Sequence, residues 1–204
     1  MEQFRRELRD SPDQAQRRMG SRLRTAAVGG KYWMASELLK AGADPNAESN
    51  DGTPLVLAAE NGRRRVAELL IQSGADVNRV KGPGVPPASE RPFGRPGSPI
   101  AVNPLQPGMA YEGVPISAFI SPLGAAVRAG NPALAALLLE KGADVNLRFG
   151  DDTALHLACE NFNPAIFKLL VDRGADINAT NRLGATPLYR AILRRRSDAT
   201  AALI

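Results

Sequence analysis

Histidine and cysteine occur once each in the 204 residues, as His156 and Cys159, and that scarcity removes whole classes of chemistry. Neither a two-histidine zinc site nor a thiolate cluster can be assembled, so no metal site is expected. A lone cysteine cannot close an internal disulfide, which points to an intracellular protein. Aromatic residues make up only 5% of the chain, and the apolar supply is mostly Ala and Leu. Such a supply suits closely spaced helices better than a sheet. No apolar run approaches the roughly 18 residues that cross a bilayer, so no membrane insertion is expected. No apolar signal segment follows Met1-Glu2-Gln3-Phe4-Arg5-Arg6 either.

Charge of neither sign dominates: 26 basic residues face 21 acidic ones, for a net +5. The runs Arg63-Arg64-Arg65 and Arg194-Arg195-Arg196 sit among helix-forming residues and read as solvated faces. Nucleic-acid binding needs a clustered basic stripe and a recognisable reading element, and it is not expected here. The reading for location is cytoplasm, nucleus or both.

What the chain does contain is a repeat. Gly42-Ala43-Asp44-Pro45-Asn46 returns as Gly74-Ala75-Asp76-Val77-Asn78, Gly142-Ala143-Asp144-Val145-Asn146 and Gly174-Ala175-Asp176-Ile177-Asn178, with starts 32, 68 and 32 residues apart by subtraction. A fixed period of this size marks a solenoid. A leucine stands 19 residues before each glycine, at Leu23, Leu55, Leu123 and Leu155. Small or apolar residues follow it at helical spacing: Ala26 and Ala27, Ala58 and Ala59, Ala126 and Val127, Ala158 and Cys159. A second apolar cluster, such as Leu69-Leu70-Ile71 or Leu137-Leu138-Leu139, predicts a second amphipathic helix in each unit. Gly29-Gly30, Asn61-Gly62, Gly130-Asn131-Pro132 and Asn161-Phe162-Asn163-Pro164 break the two helices apart. Thr53-Pro54-Leu55, Ser121-Pro122-Leu123 and Thr186-Pro187-Leu188 place an N-cap hydroxyl before a proline that has no amide to lose.

Thr153-Ala154-Leu155-His156-Leu157-Ala158 and Thr186-Pro187-Leu188-Tyr189-Arg190-Ala191 carry a resemblance to the ankyrin repeat family, whose signature reads T-P-L-H-x-A. The resemblance implies an all-α solenoid of helix-turn-helix units joined by β-hairpin loops that project to one side. The expected organisation is a charged tail or capping helix over 1–19, then units over 20–50, 51–78, 118–149 and 150–181 and a partial fifth over 182–204. A Pro/Gly-rich insertion occupies 79–117. It accounts for the doubled interval, because 43 positions separate Asn78 from Ser121 where 7 separate Asn46 from Thr53. Nine prolines between Pro83 and Pro115 oppose a hidden helix pair there, and alternating Val114, Ile116, Ala118 and Ile120 suit a short strand.

By the same resemblance, His156 is a structural hydrogen-bonding residue and Cys159 a small buried hydrophobe. The function implied is binding of a protein partner on a concave face by a monomer, with no small-molecule substrate. Positions before the capping Thr or Ser, and seven and eight after it, give the candidate contacts Gly52, Glu60, Asn61, Arg128, Asp152, Glu160, Asn161 and Arg194. Their mixed signs suit a protein epitope better than a polyanion. No catalytic residue and no cofactor is expected: Gly29-Gly30-Lys31 fails as a phosphate loop, since Thr25 replaces its first glycine and Tyr32 its hydroxyl residue. The alternative is that these residues form the targeting portion of a larger effector or enzyme, because Thr200-Ala201-Ala202-Leu203-Ile204 ends apolar where a closing unit is usually polar. Excision of residues 82–115 is expected to leave the helical circular dichroism signal nearly intact; a large loss would reveal a concealed repeat there.

Overall fold

The computed structural model describes residues 12–49, 51–80, 120–150, 152–181 and 184–202. From residue 81 onward the expected insertion lies outside the described residues, as does the expected strand up to 119. Ten helices fill the described portion: α1 (Pro12–Gly29), α2 (Tyr32–Lys40), α3 (Pro54–Glu60), α4 (Arg64–Gln72), α5 (Pro122–Arg128), α6 (Pro132–Glu140), α7 (Ala154–Glu160), α8 (Pro164–Asp172), α9 (Pro187–Leu193) and α10 (Ser197–Ala202). They pair as α1/α2 through α9/α10, and the first members α1, α3, α5, α7 and α9 pack side by side in one row. None is long and apolar enough to cross a membrane.

The caps form as the sequence requires. Thr53 Oγ1 accepts from the Val56 amide at 3.3 Å, Ser121 Oγ from Gly124 at 3.0 Å and Thr186 Oγ1 from Tyr189 at 3.2 Å. In the second helices, Asn131 and Asn163 do the same through Oδ1, to the Leu134 and Ile166 amides. Leu23, Leu55, Leu123 and Leu155 are all buried in a single core with the small residues that follow them. The turn between the helices takes left-handed backbone, at Gly62 and Gly130 (φ 65°). In the last unit that place is held by Arg195 at φ 53°, a conformation that costs a non-glycine residue about 1 kcal/mol or more.

Each residue of the repeated Gly-Ala-Asp-x-Asn has its own task. The glycine after α2, α4, α6 and α8 sits at φ between 83° and 90°, which ends the helix. The alanine amide then bonds back five residues, as from Ala75 to the Leu70 carbonyl at 2.9 Å, and its methyl is buried. The aspartate Oδ1 accepts from the amide two residues on, at 2.8 or 2.9 Å in all four turns. The asparagine reaches the next unit with both ends of its side chain. Asn46 donates to the Gly74 carbonyl at 3.0 Å and accepts from the Asp76 amide at 2.8 Å; Asn146 repeats this with Gly174 and Asp176.

Across the doubled interval the ladder does not break. Asn78 donates to the Gly142 carbonyl at 3.2 Å and accepts from the Asp144 amide at 2.8 Å, while α3 packs directly on α5. The second and third Gly-Ala-Asp units are therefore neighbours in space despite 68 residues between their turns. At the front of the stack, α1 runs 18 residues where the other first helices have seven. It passes without a break through residue 20, where the repeat pattern begins. Its added turns carry Gln16, whose Nε2 donates to the Gly42 carbonyl at 2.8 Å, the bond an asparagine of a preceding unit would make. The Oε1 of Gln16 is buried and finds no donor among the described residues, so the substitute makes half of the usual pair.

The projecting loops differ from the expected β-hairpins in one respect. No strand forms among the described residues; in one finger an isolated bridge has Phe149 donating to the Asp152 carbonyl at 3.0 Å, and in the last Asn181 donates to the Ala185 carbonyl at 2.9 Å. Other polar groups of the fingers bond to local side chains and to the next finger. Replacing Asn78 by alanine removes both bonds that join the two halves, and is expected to cost about 1 to 3 kcal/mol in urea unfolding. An unchanged midpoint would show that apolar stacking alone holds the halves together.

Candidate functional site

The C-terminal ends of the first helices form a row at the edge of the stack, built from residues seven and eight after each cap. Asn61, Arg128, Asn161 and Arg194 are exposed there, while Glu60 and Glu160 are half-buried. Asn61 spends part of its amide on its own helix, donating to the Leu57 carbonyl at 2.8 Å. The position before the cap behaves differently: Gly52, Ile120, Asp152 and Ala185 are buried in every unit. Gly52 holds φ 109° and has no side chain to offer. Asp152 reaches only its neighbours.

Those neighbours make a charged network between α7 and α9. The Arg190 guanidinium donates to Asp152 Oδ2 and, at 3.0 Å, to Glu160 Oε1. Arg194 adds a second donor to the same Glu160 oxygen at 3.1 Å, and the Arg196 Nε reaches the Glu160 carbonyl at 3.1 Å. Asn181 donates to Asp152 Oδ1 at 3.3 Å and clasps the Ala185 amide and carbonyl at 2.9 Å each. Two carboxylates thus face a planar fork suited to bidentate contact in a partly water-free seam, where each pair is stronger than it would be in solvent. Arg190 Nε is buried and has no acceptor among the described residues.

Sequence reasoning missed Arg190. The signal lay in its column: four residues after the cap, the other units hold Leu57, Ala125 and Leu157, and an arginine among apolar residues needs buried carboxylates to meet it. Those carboxylates are Asp152 and Glu160, two of the candidate contact residues, and both are committed inside the protein.

His156 is buried, and its roles follow from its partners. The Ala185 carbonyl, 3.1 Å from Nε2, only accepts, so Nε2 carries the proton. Nδ1 is then free to accept from the Thr153 amide at 3.3 Å. The ring spans two units in its neutral form. Desolvation lowers its pKa below the ordinary 6.5, and the hydrogen bond to Ala185 opposes the shift only in part. Burial pushes the Cys159 thiol up to about 12. A neutral, fully buried thiol is no nucleophile, so the neighbouring histidine and cysteine do not form a reactive pair.

A histidine held neutral in the fold and free to charge when unfolded contributes stability that is complete above pH 6.5. It is lost as pH falls below that value toward the depressed folded pKa. The wild-type unfolding midpoint is expected to be level from about pH 8 to 6.5 and to decline below it, with the decline reduced in His156→Asn. A decline of equal size in the variant would assign it to carboxylates instead.

A family model described as ankyrin repeats, in three copies, matches residues 12–81 and 123–204. No curated protein matches the chain. The two matched blocks cover most of the chain and fall on the helix pairs and Gly-Ala-Asp turns that stack here in a constant register. The chain belongs to the ankyrin repeat family, whose all-α solenoids generally serve as non-catalytic modules of protein–protein interaction.

Proposed function

We propose that this protein binds a protein partner along the row formed by the C-terminal ends of its first helices, on the concave face of the stack. The observation that carries this reading is the division of labour among repeat positions. Residues that recur from unit to unit are buried or spent on caps, turns and the asparagine ladder. Residues in the row are exposed and differ: Asn61, Ala129, Asn161 and Arg194 hold one position in four units. A surface that varies on a constant frame is what specific recognition needs.

The geometry also ranks the candidates. Arg128, Asn61, Asn161 and Arg194 form the reading face, with Glu60 beside them. Glu160 acts indirectly, by holding Arg194 in place through its 3.1 Å contact. Gly52 and Asp152 support the frame from below. A mixture of amides and cations presented on rigid helix ends fits a folded protein surface bearing carbonyl and carboxylate acceptors.

The test uses the variant Asn61→Arg, Arg128→Glu, Asn161→Arg, which leaves Asp152, Glu160 and Arg190 untouched. A partner captured from cell extract on the wild-type protein is expected to bind this variant at least about tenfold more weakly by calorimetry, a loss of ~1.4 kcal/mol or more. The far-UV circular dichroism should match that of the wild type. Undiminished affinity would place the binding surface elsewhere.

A further inference from the structure

The three residues that open the second helix occupy the same places in each of the first four units: Lys31-Tyr32-Trp33, Arg63-Arg64-Arg65, Asn131-Pro132-Ala133 and Asn163-Pro164-Ala165. In the third and fourth units they serve the frame, since Asn131 and Asn163 cap α6 and α8 and a proline follows each. In the first two units the cap is given up. Neither Lys31 nor Arg63 makes a side-chain cap bond, and both place a cation at the positive end of a helix dipole. Two adjacent units that break a local rule kept by the next two mark a surface that serves something other than stability.

The second and third of these places are exposed in all four units. The 79% exposure of Trp33 therefore belongs to its column and not to its position at the front of the stack. Beside it runs an open groove of about 410 Å³, lined by Tyr32 and Trp33 of α2 and by Arg65, Glu68, Leu69 and Gln72 of α4. The two aromatic rings stand edge to face, with centroids 5.8 Å apart. The charge around them is one-sided. Of Lys31, Arg63, Arg64 and Arg65, only Arg64 has a carboxylate partner among the described residues, Glu68 at 2.9 Å. Arg63 donates instead to the Val28 carbonyl at 3.0 Å. Four cations against one carboxylate leave a positive surplus next to an exposed indole.

We propose that this groove binds an acidic segment of a protein through one apolar anchor. A large apolar side chain of the segment enters the groove against Trp33 and Leu69, and carboxylates on either side of it meet Lys31, Arg63 and Arg65. Charge complementarity sets the sign of the partner, and Trp, Tyr and Arg are the side chains that concentrate binding energy at protein contacts. Glu68 and Gln72 offer acceptors for backbone amides, which a peptide has and a phosphodiester chain lacks. The groove is a second surface, distinct from the helix-end row. Its test leaves Asn61, Arg128, Asn161 and Arg194 untouched and needs no partner of that row, so the two readings fail separately.

Trp33 is the only tryptophan of the chain, so its emission reports on the groove in the unmodified protein. The probe is a heptapeptide with one phenylalanine between two runs of three glutamates. Titrated at about 50 mM salt, it is expected to shift the emission to the blue with saturation, and to bind at least about fivefold more weakly at about 300 mM salt. A peptide with serine in place of the phenylalanine should bind at least about tenfold more weakly, because the anchor is lost. The variant Arg65→Glu, at an exposed position, should keep the wild-type circular dichroism and lose at least about tenfold in affinity for the first peptide. The proposal is overturned if the emission does not move at about 1 mM peptide, if the serine peptide binds equally well, or if Arg65→Glu binds undiminished. Tighter binding of decathymidylate or of phosphatidylserine vesicles than of the peptide would assign the groove to phosphate chemistry and overturn it as well.

Discussion

The first helices of the interior units are seven residues long and the second helices nine, and helices that short do not persist in water on their own. Each pair has an apolar side that only another pair can cover. Lateral stacking is therefore the interaction on which everything else in this protein depends. The hairpin fingers follow from it: once units sit at a fixed spacing, one asparagine per unit can reach the glycine carbonyl and the aspartate amide of the next. The bonds then hold the register that the apolar contacts created. Asn78 makes the same pair of bonds across an interval twice the usual length, which shows that spatial period, not sequence distance, governs the ladder.

Stacking also decides what any given position means. The third residue after the cap is Val56, Gly124, His156 or Tyr189, four side chains of different chemistry in one structural place. Gly124 leaves the space that the Phe149 ring fills, since a Cβ there would lie 2.6 Å from that ring. His156 fills the place with a neutral imidazole and bonds the next unit. Tyr189 is exposed. The arginine cluster obeys the same logic. Arg190 stands in an apolar column and is accommodated only because Asp152 and Glu160 come from the unit below. In this column the seam between the fourth and fifth units thus carries a charge network where the other units place Leu57, Ala125 and Leu157.

Much of this was legible without coordinates, because the signals are local. A Thr or Ser before a proline, a glycine after a leucine cluster and an aspartate two residues before an asparagine each specify their own bond within a few residues. The row of helix ends was legible too, since counting from the cap gives Asn61, Arg128, Asn161 and Arg194, all of them exposed. What counting could not give was the fate of Asp152 and Glu160. A carboxylate in a list of polar positions looks available until the arginine opposite it, 38 and 30 residues away in the chain, is seen to occupy it. Gln16 was hidden for a related reason: its task belongs to an asparagine elsewhere, and only proximity to Gly42 discloses it.

The sequence alone determined the unit, its period, its caps and its all-α class, because those rest on hydrogen bonds and helical periodicity within one repeat length. The tertiary structure decided which polar residues are committed within the protein and which stay exposed, and that the second and third Gly-Ala-Asp units are adjacent. Those outcomes depend on which side chains of different units meet, and contact between distant residues is a property of the stack, not of any repeat within it.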